Sequence, residues 1–471
     1  MGKRKKIFPS VLITDIADKG LALGRADSGE VVLVQGAVPG DRVKVLSKRK
    51  KKSVAFGFVT ELLEPSPDRV EPVCEHFFDC GGCKWQNLVY EKQLFLKNKT
   101  VINAIERIAK CRPETIGEPI PAPATTFFRN KLEFSFSNKR WLNLEEVKED
   151  RKIERGNALG FHRPGSFDKI VDVEKCHLQP APSNQVRNFV RDFAIKNNLE
   201  FFDIREKTGL LRTLVVRTGP AGQLMVIVAF AERNEEQIEL VLDAIVGEFS
   251  DITSLYYVIN EKANDSLLDL PMQLYHGSEF LEEQLLDVKF RLGPKSFFQT
   301  NPAQAEKLFE IALEYAEIDG DSLVYDLYCG IGSISLPAAR RTKKVVGIES
   351  VPEAIEDARI NAELNGIENV SFFTGEVEKL LDTYFFEKEG HPDVIIVDPP
   401  RAGLHPAVVD AILQTSVEKM VYVSCNPATQ ARDIGLLKKN YELVNLRTVD
   451  MFPHTSHIET VALLKKRSTQ S

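Results

Sequence analysis

Apolar and polar positions change rhythm twice along the chain. Between residues 10 and 63 they alternate in short runs broken by glycine turns, the two-residue period of strands with one buried face. Residues 11–15, 20–25, 30–34, 41–47 and 55–62 give five such strands, the proportions of a small OB-like barrel. Glu64-Pro65-Ser66-Pro67 then breaks regular structure and reads as a linker. Residues 90–109 carry Leu94, Val101, Ile105 and Ile108 at helical spacing. Residues 125–295 mix both periods, and 148–155 form a mixed-charge run that reads as a solvated loop or helix face.

From Asn301 onward, helices alternate with apolar, β-branched runs. Asn301-Pro302 caps a helix to about residue 316, and strands are expected at 322–327, 345–348, 394–397, 419–423 and 458–464. Nearly continuous apolar strands separated by helices predict a parallel, doubly wound α/β sheet buried on both faces. The expected domains are therefore 1–64, an OB-like barrel; 65–295, a central α+β region whose helix 90–110 can pack on the last domain; and 296–471, a Rossmann-like sheet.

Chemistry gathers at the ends of the C-terminal strands. Asp326, Glu349, Asp398 and Cys425 each close an apolar run, and Glu459 stands where another begins. Taken singly, these groups have ordinary readings. Cys425 in Ser424-Cys425-Asn426-Pro427 could be a structural thiol, Glu459 a solvated edge carboxylate, and Asp398-Pro399-Pro400-Arg401 a strand-ending turn. Five such groups at strand ends of one open sheet mark the place where ligands bind. The turn Asp326-Leu327-Tyr328-Cys329-Gly330-Ile331-Gly332-Ser333 admits a ligand close to the backbone, and Glu349, 23 residues beyond Asp326, can accept bonds from ribose hydroxyls. This is not G-x-G-x-x-G, so a nucleoside-bearing cofactor is favoured over a dinucleotide.

Composition narrows the class. In 471 residues no apolar run approaches the roughly 20 needed to cross a bilayer, and the basic start is not followed by a signal-type stretch, which leads to the expectation of a soluble cytoplasmic protein with no membrane partner. The net charge is −7, yet residues 1–52 hold 13 Lys or Arg against 5 Asp or Glu, so a polyanion would meet this part first unless its basic runs are merely solvated. Seven cysteines at uneven spacing do not form a secreted disulfide framework. Cys74-x5-Cys80-x2-Cys83 can deliver three thiolates to a metal, with Cys176 as the fourth and Cys111 as its rival. An iron-sulfur centre, a zinc site and unrelated cysteines all remain open, in that order. The spacing is not the Cys-x3-Cys-x2-Cys of radical-type clusters, so a structural or RNA-contacting role is expected. Trp85 and Tyr90 either shield this site or pack an ordinary core. Phe127-Phe128-Arg129-Asn130-Lys131 and Leu159-Gly160-Phe161-His162 suit either burial or a grip on nucleotides.

Residues 19–25 and 34–43 resemble the TRAM domain, an RNA-binding barrel attached to RNA-modifying enzymes. Ser296-Phe297-Phe298-Gln299-Thr300-Asn301, Asp326-Leu327-Tyr328-Cys329-Gly330-Ile331-Gly332, Asp398-Pro399-Pro400-Arg401, Ser424-Cys425-Asn426-Pro427 and Pro453-His454-Thr455-x-His457-Ile458-Glu459 resemble the motif set of the S-adenosylmethionine-dependent RNA uracil-5-methyltransferases. The likeness is nearest to the 23S ribosomal RNA branch, and it implies a [4Fe-4S] cluster on Cys74, Cys80, Cys83 and Cys176. It also implies Cys425 as nucleophile, Glu459 as proton acceptor, and Gln299, Tyr328, Glu349 and Asp398 around cofactor and target base. Such an enzyme would act on RNA and is expected to be a monomer. The chemistry calls for the same residue types. Uracil C5 is a weak nucleophile until a thiolate adds at C6, and a base must then remove the C5 proton so that the thiolate can leave. Transfer RNA is the alternative substrate. A non-catalytic iron-sulfur RNA-binding protein would need neither Cys425 nor Glu459.

Overall fold

The computed structural model describes residues 6–143, 146–147, 156–415 and 417–468; the charged run expected at 148–155 lies outside the described residues. The N-terminal alternation folds as β1 (Lys6–Ile16), β2 (Ala22–Ala26), β3 (Val31–Gln35), β4 (Arg42–Lys51) and β5 (Val54–Glu64). They close into a barrel in the order β1-β2-β3-β5-β4, with Val11, Ile13, Val32, Val34, Val43 and Val45 inside. The segment read as a linker is held to this barrel. Buried Asp41 accepts hydrogen bonds from Ser66 N (2.9 Å) and Arg69 Nε (3.0 Å), and a Cβ on Gly40 would stand 2.5 Å from Ser66 Oγ.

The helix Tyr90–Ala104 runs into a π-helical turn over Ile105–Ala109, where it buries Val101, Ile105 and Ala109 in the C-terminal core. After it, β6 (Thr115–Ile116) adds an edge to the C-terminal sheet. The central region forms β7 (Lys131–Ser137), β8 (Ala158–His162), β9 (Ile170–Asp172), β10 (Leu211–Thr218), β11 (Leu224–Phe230), β12 (Ser254–Ile259) and β13 (Gln273–Gly277). These lie in the order β13-β12-β11-β10-β7-β8-β9, and the helices Ser183–Lys196 and Glu235–Glu248 share one core with the sheet. A hairpin of β14 (Leu281–Leu285) and β15 (Val288–Leu292) packs Leu285, Val288, Phe290 and Leu292 into the core of the C-terminal sheet.

That sheet contains β16 (Leu323–Leu327), β17 (Lys344–Glu349), β18 (Val370–Thr374), β19 (Val394–Val397), β20 (Lys419–Ser424), β21 (Tyr441–Val449) and β22 (Glu459–Lys466). The order is β18-β17-β16-β19-β20-β22-β21-β6. Pairings from β18 to β20 are parallel, whereas β22 runs antiparallel to both β20 and β21. Successive strand residues feed opposite cores: Val324, Val345, Ile396 and Val421 enter one, and Tyr325, Val346, Ile395 and Tyr422 the other. Burial on both faces is why these strands read as unbroken apolar runs. No helix among the described residues is long and apolar enough to cross a membrane.

Candidate active site

Parallel strands β16, β17, β19 and β20 deliver their carboxyl ends to one edge of the sheet. Tyr328 follows β16 with φ +69°, a left-handed conformation rare for a bulky residue, and both its N–H (2.8 Å) and that of Cys329 (3.1 Å) donate to Ile348 O. The chain then turns through Gly330 and Gly332, both at positive φ. A Cβ on Gly330 would meet nothing within 4 Å, so the turn leaves open space beside Glu349. Glu349 accepts from the N–H groups of Gly330 (3.2 Å), Ser350 (2.6 Å) and Val351 (3.0 Å), which fixes its carboxylate at the end of β17.

Asp326 is buried and Asp398 half-buried, and desolvation pushes each carboxyl up to about 7; at Asp326 the neighbouring Asp398 and Glu349 add to the rise. Asp326 keeps one buried oxygen, Oδ1, without a partner. Glu459 is 4 % exposed, and burial followed by Asp398 holds its carboxyl well above the usual range, with Arg401 opposing. Half-buried Cys425 has its thiol pushed up to about 11 by desolvation, then by Glu459 and Asp398; Arg401 again pulls the other way.

Strand register explains why Cys425 and Glu459 are neighbours. Ser424 pairs with Thr460 across β20 and β22, so the next step of the same ladder sets Cys425 beside Glu459. The turn after Cys425 is stitched to the Asp398-Pro399-Pro400-Arg401 turn: Asn426 Nδ2 donates to Arg401 O (2.9 Å), and Asn426 Oδ1 caps the next helix at Ala428 N (3.1 Å). Below it, Asp433 accepts from Tyr422 Oη (2.7 Å) and Leu404 N (2.8 Å).

The loop before Glu459 is bolted from the side. Buried Lys97, on the helix Tyr90–Ala104, donates to Asp450 Oδ1 (2.6 Å) and Phe452 O (2.9 Å), and His454 N donates to Gln93 Oε1 (2.9 Å). The loop carrying Gln299 is held from the central sheet, where buried Arg217 donates to Ser296 O (2.8 Å) and Asn130 N to Thr300 O (2.9 Å). Gln299 is half-buried there.

The four cysteines expected as cluster ligands lie near one another, away from that edge. Cys80 N donates to His76 O (2.7 Å), and Gly81 N to His162 O (3.1 Å); a Cβ on Gly81 would lie 2.7 Å from that carbonyl, so only glycine allows the approach. Cys176 N is held by Asn184 Oδ1 (2.8 Å), and Glu174 N by His76 Nε2 (3.1 Å). Burial pushes Cys74 up to about 11 and Cys80 and Cys83 up to about 12, and Cys176 raises all three further. Among the described residues, no group of three or more His, Cys, Asp or Glu side chains is one that could hold a metal ion. The thiols share a field all the same, and it includes half-buried Arg129, whose charge interacts with Cys83 and Cys176 and whose Nε has no hydrogen-bond partner. Cys111 packs instead against the C-terminal core near Lys438 and Arg467.

Trp85 and Tyr90 do more than pack. Tyr90 Oη donates to Asp450 Oδ2 (2.9 Å), while the Trp85 indole N–H reaches Gly20 O on the barrel (3.1 Å). On the barrel itself, Lys48 lies over Phe58 (4.5 Å to the ring centroid) and Arg49 over Phe56 (4.6 Å), a basic and aromatic face at the β4–β5 end.

An open doubly wound sheet, with a glycine turn, a fixed glutamate at the next strand's end and a thiol among carboxyls on one edge, is the architecture of a nucleoside-cofactor transferase of the methyltransferase type. The chain belongs to the S-adenosylmethionine-dependent RNA uracil-5-methyltransferase family. The tRNA (uracil-5-)-methyltransferase family profile matches residues 272–467, and the TRAM domain profile matches residues 10–60. An uncharacterized RNA methyltransferase of Porphyromonas gingivalis is 48% identical over 97% of this chain and 99% of its own, and one of Bacteroides thetaiotaomicron is 46% identical over 96% and 100%. The crystal structure of the Pyrococcus abyssi tRNA (uracil-54, C5)-methyltransferase with S-adenosyl-L-homocysteine is 29% identical, with a TM-score of 0.75 over 97% of this chain and 99% of that one. The protein is thus an S-adenosylmethionine-dependent RNA methyltransferase.

The motif containing Arg401 assigns it no role, and the stretch containing Arg129 suggests only burial or a grip on nucleotides. Both stand out structurally as the cations facing thiols, Arg401 at Cys425 and Arg129 at Cys83 and Cys176. Lys97 with Asp450 was invisible, because 353 residues separate partners that only the packed helix brings together.

Proposed function

We propose that the protein transfers a methyl group from S-adenosylmethionine to C5 of a uridine in 23S ribosomal RNA through a covalent adduct between Cys425 and C6, acting in the cytoplasm as a monomer. The observation that carries this reading is the ladder between β20 and β22, which sets a nucleophilic residue type and a buried carboxyl side by side at a cofactor-binding edge.

The cofactor, when bound, supplies an electrophilic sulfonium methyl. The open space at Gly330 and the carboxyls Asp326, Glu349 and Asp398 suit a cationic nucleoside ligand, with Glu349 directed at ribose hydroxyls and Tyr328 and Gln299 lining the pocket of cofactor and base. Cys425 first gives up its thiol proton to solvent, its thiolate Sγ then bonds to C6 of a uridine taken out of its stack, and the π electron pair of the C5–C6 double bond becomes available at C5 for methyl transfer. Glu459 then accepts the C5 proton; the double bond re-forms, and Cys425 leaves as thiolate, the better leaving group for being held beside Arg401.

Cys74, Cys80, Cys83 and Cys176 are the residues that would hold a [4Fe-4S] cluster, which would need their side chains drawn together, since no such group stands ready for a metal among the described residues. Half-buried Arg129, whose buried Nε has no partner and whose charge interacts with Cys83 and Cys176, fits thiolates better than neutral thiols. The cluster would tie the segment after the barrel to the central sheet. Transfer RNA is the second reading, favoured by the substrate named for the Pyrococcus abyssi structure. Mapping 5-methyluridine in ribosomal and transfer RNA from cells with and without the protein separates the two; no change in either would sink both.

A further inference from the structure

The barrel reaches the loop that ends in Glu459. A Cβ on Gly20, at φ +74°, would stand 2.9 Å from Ser456 Cβ and 3.1 Å from Ser456 Oγ, so the barrel turn is in van der Waals contact with a residue three positions before Glu459. Lys84 and Trp85 complete the joint. Their backbone N–H groups both donate to His454 O (2.7 and 3.0 Å), while their side chains turn the other way, Lys84 Nζ to Lys19 O (2.8 Å) and Trp85 Nε1 to Gly20 O (3.1 Å). Trp85 O in turn accepts from Gln93 Nε2 (2.9 Å), whose own Oε1 holds His454 N. His454 sits at φ +64°, a conformation that a histidine keeps only where its surroundings fix it.

We propose that Lys84, Trp85 and the barrel turn Lys19–Gly20 are positioning residues for Glu459, so that the barrel forms part of the proton-abstraction site and does not serve only as a tether for RNA. The proposal rests on the reading of Cys425 and Glu459 given above. It makes a kinetic distinction. Adduct formation and methyl transfer need Cys425 and the cofactor edge, whereas only the later removal of the C5 proton needs Glu459 in place. A displaced loop therefore traps RNA on Cys425 after the methyl group has moved.

The test uses the full chain with its RNA and cofactor. Trp85→Phe keeps the ring and removes the N–H that meets Gly20 O; Gly20→Ala forces the barrel away from Ser456. Both are expected to lower kcat about tenfold to hundredfold, with KM for RNA and cofactor within about twofold and a raised fraction of denaturation-resistant RNA–protein adduct. Adding Ser456→Gly to Gly20→Ala removes the obstructing Cβ and should restore part of the lost turnover, the strain of alanine at φ +74° remaining. Wild-type kcat in both single variants overturns the proposal. So does a loss without trapped adduct and without rescue by Ser456→Gly, the pattern of a merely structural joint, with thermal unfolding measured alongside. Failure of the underlying reading looks different: wild-type protein then forms neither 5-methyluridine nor adduct, or Cys425→Ala retains both.

Discussion

Two thiol sites lie in this molecule, and they differ in what faces the sulfur. Around Cys74, Cys80, Cys83 and Cys176 the neighbours are one another and the cations Arg187 and half-buried Arg129. Around Cys425 they are the carboxyls Glu459 and Asp398, with Arg401 opposing. Burial raises every one of these thiols, so desolvation alone cannot tell a ligand set from a nucleophile. The partners differ. Several thiols beside two arginines fit the proposed ligand set, whereas one thiol beside carboxyls fits the proposed nucleophile, whose bond must form and then break.

The largest expected effect breaks the comparison outright. Cys425→Ala should lower methyl transfer about a thousandfold or more while leaving bound iron and thermal unfolding unchanged. Cys83→Ser should do the reverse in kind, reducing iron content and stability of the purified protein. Activity and metal assays on the two variants would refute the division if Cys425→Ala also lost iron.

Next is Glu459→Gln, expected to slow turnover about a hundredfold or more, because a general base contributes roughly 10²–10⁴ in rate. Adduct should accumulate in this variant, seen as RNA that stays with the protein in denaturing gels. Slowed turnover without adduct would place Glu459 before the covalent step.

The carboxyl side of the comparison can be titrated. Alkylation of Cys425 by iodoacetamide follows the thiolate, whose formation is pushed up to about 11 by burial, then Glu459 and Asp398. Asp398→Asn removes a negative neighbour, so the midpoint should move down and the rate at pH 8 rise about threefold to tenfold. Arg401→Met removes the opposing cation and should move the midpoint up. An unchanged profile in both would mean that burial alone sets this thiol.

Much of this was legible because strand ends are legible. Val394–Val397 and the strand into Ser424 read as apolar runs closed by Asp398 and Cys425, and Asn301-Pro302 marked its helix at the observed start. β18 and β21 escaped notice: Val370–Thr374 is interrupted by Ser371, and Tyr441–Val449 alternates polar and apolar residues with a register shift between Leu443 and Asn445. Without β21 the antiparallel return of β22 was hidden, and with it the reason that Glu459 meets Cys425. The barrel's contact with Ser456 depends on a glycine whose need for space comes from residues more than 400 positions away, which no local pattern encodes.

The smallest effect concerns what holds the Cys425 turn. Tyr422 is fully buried, and its hydroxyl donates to Asp433 Oδ2, which also accepts from Leu404 N; Leu404 lies three residues after Arg401, on the turn that receives Asn426. Tyr422→Phe removes that donor but leaves the Leu404 bond to satisfy the carboxylate, so the cost should be about 1 kcal/mol in a denaturant titration. Its larger meaning is positional. The ring still fills the core beneath β20, so a turnover loss well beyond the stability change would show that Asp433 must be pinned from both sides to keep Arg401 facing Cys425. A turnover equal to wild type would place that control in the Asn426 bond alone.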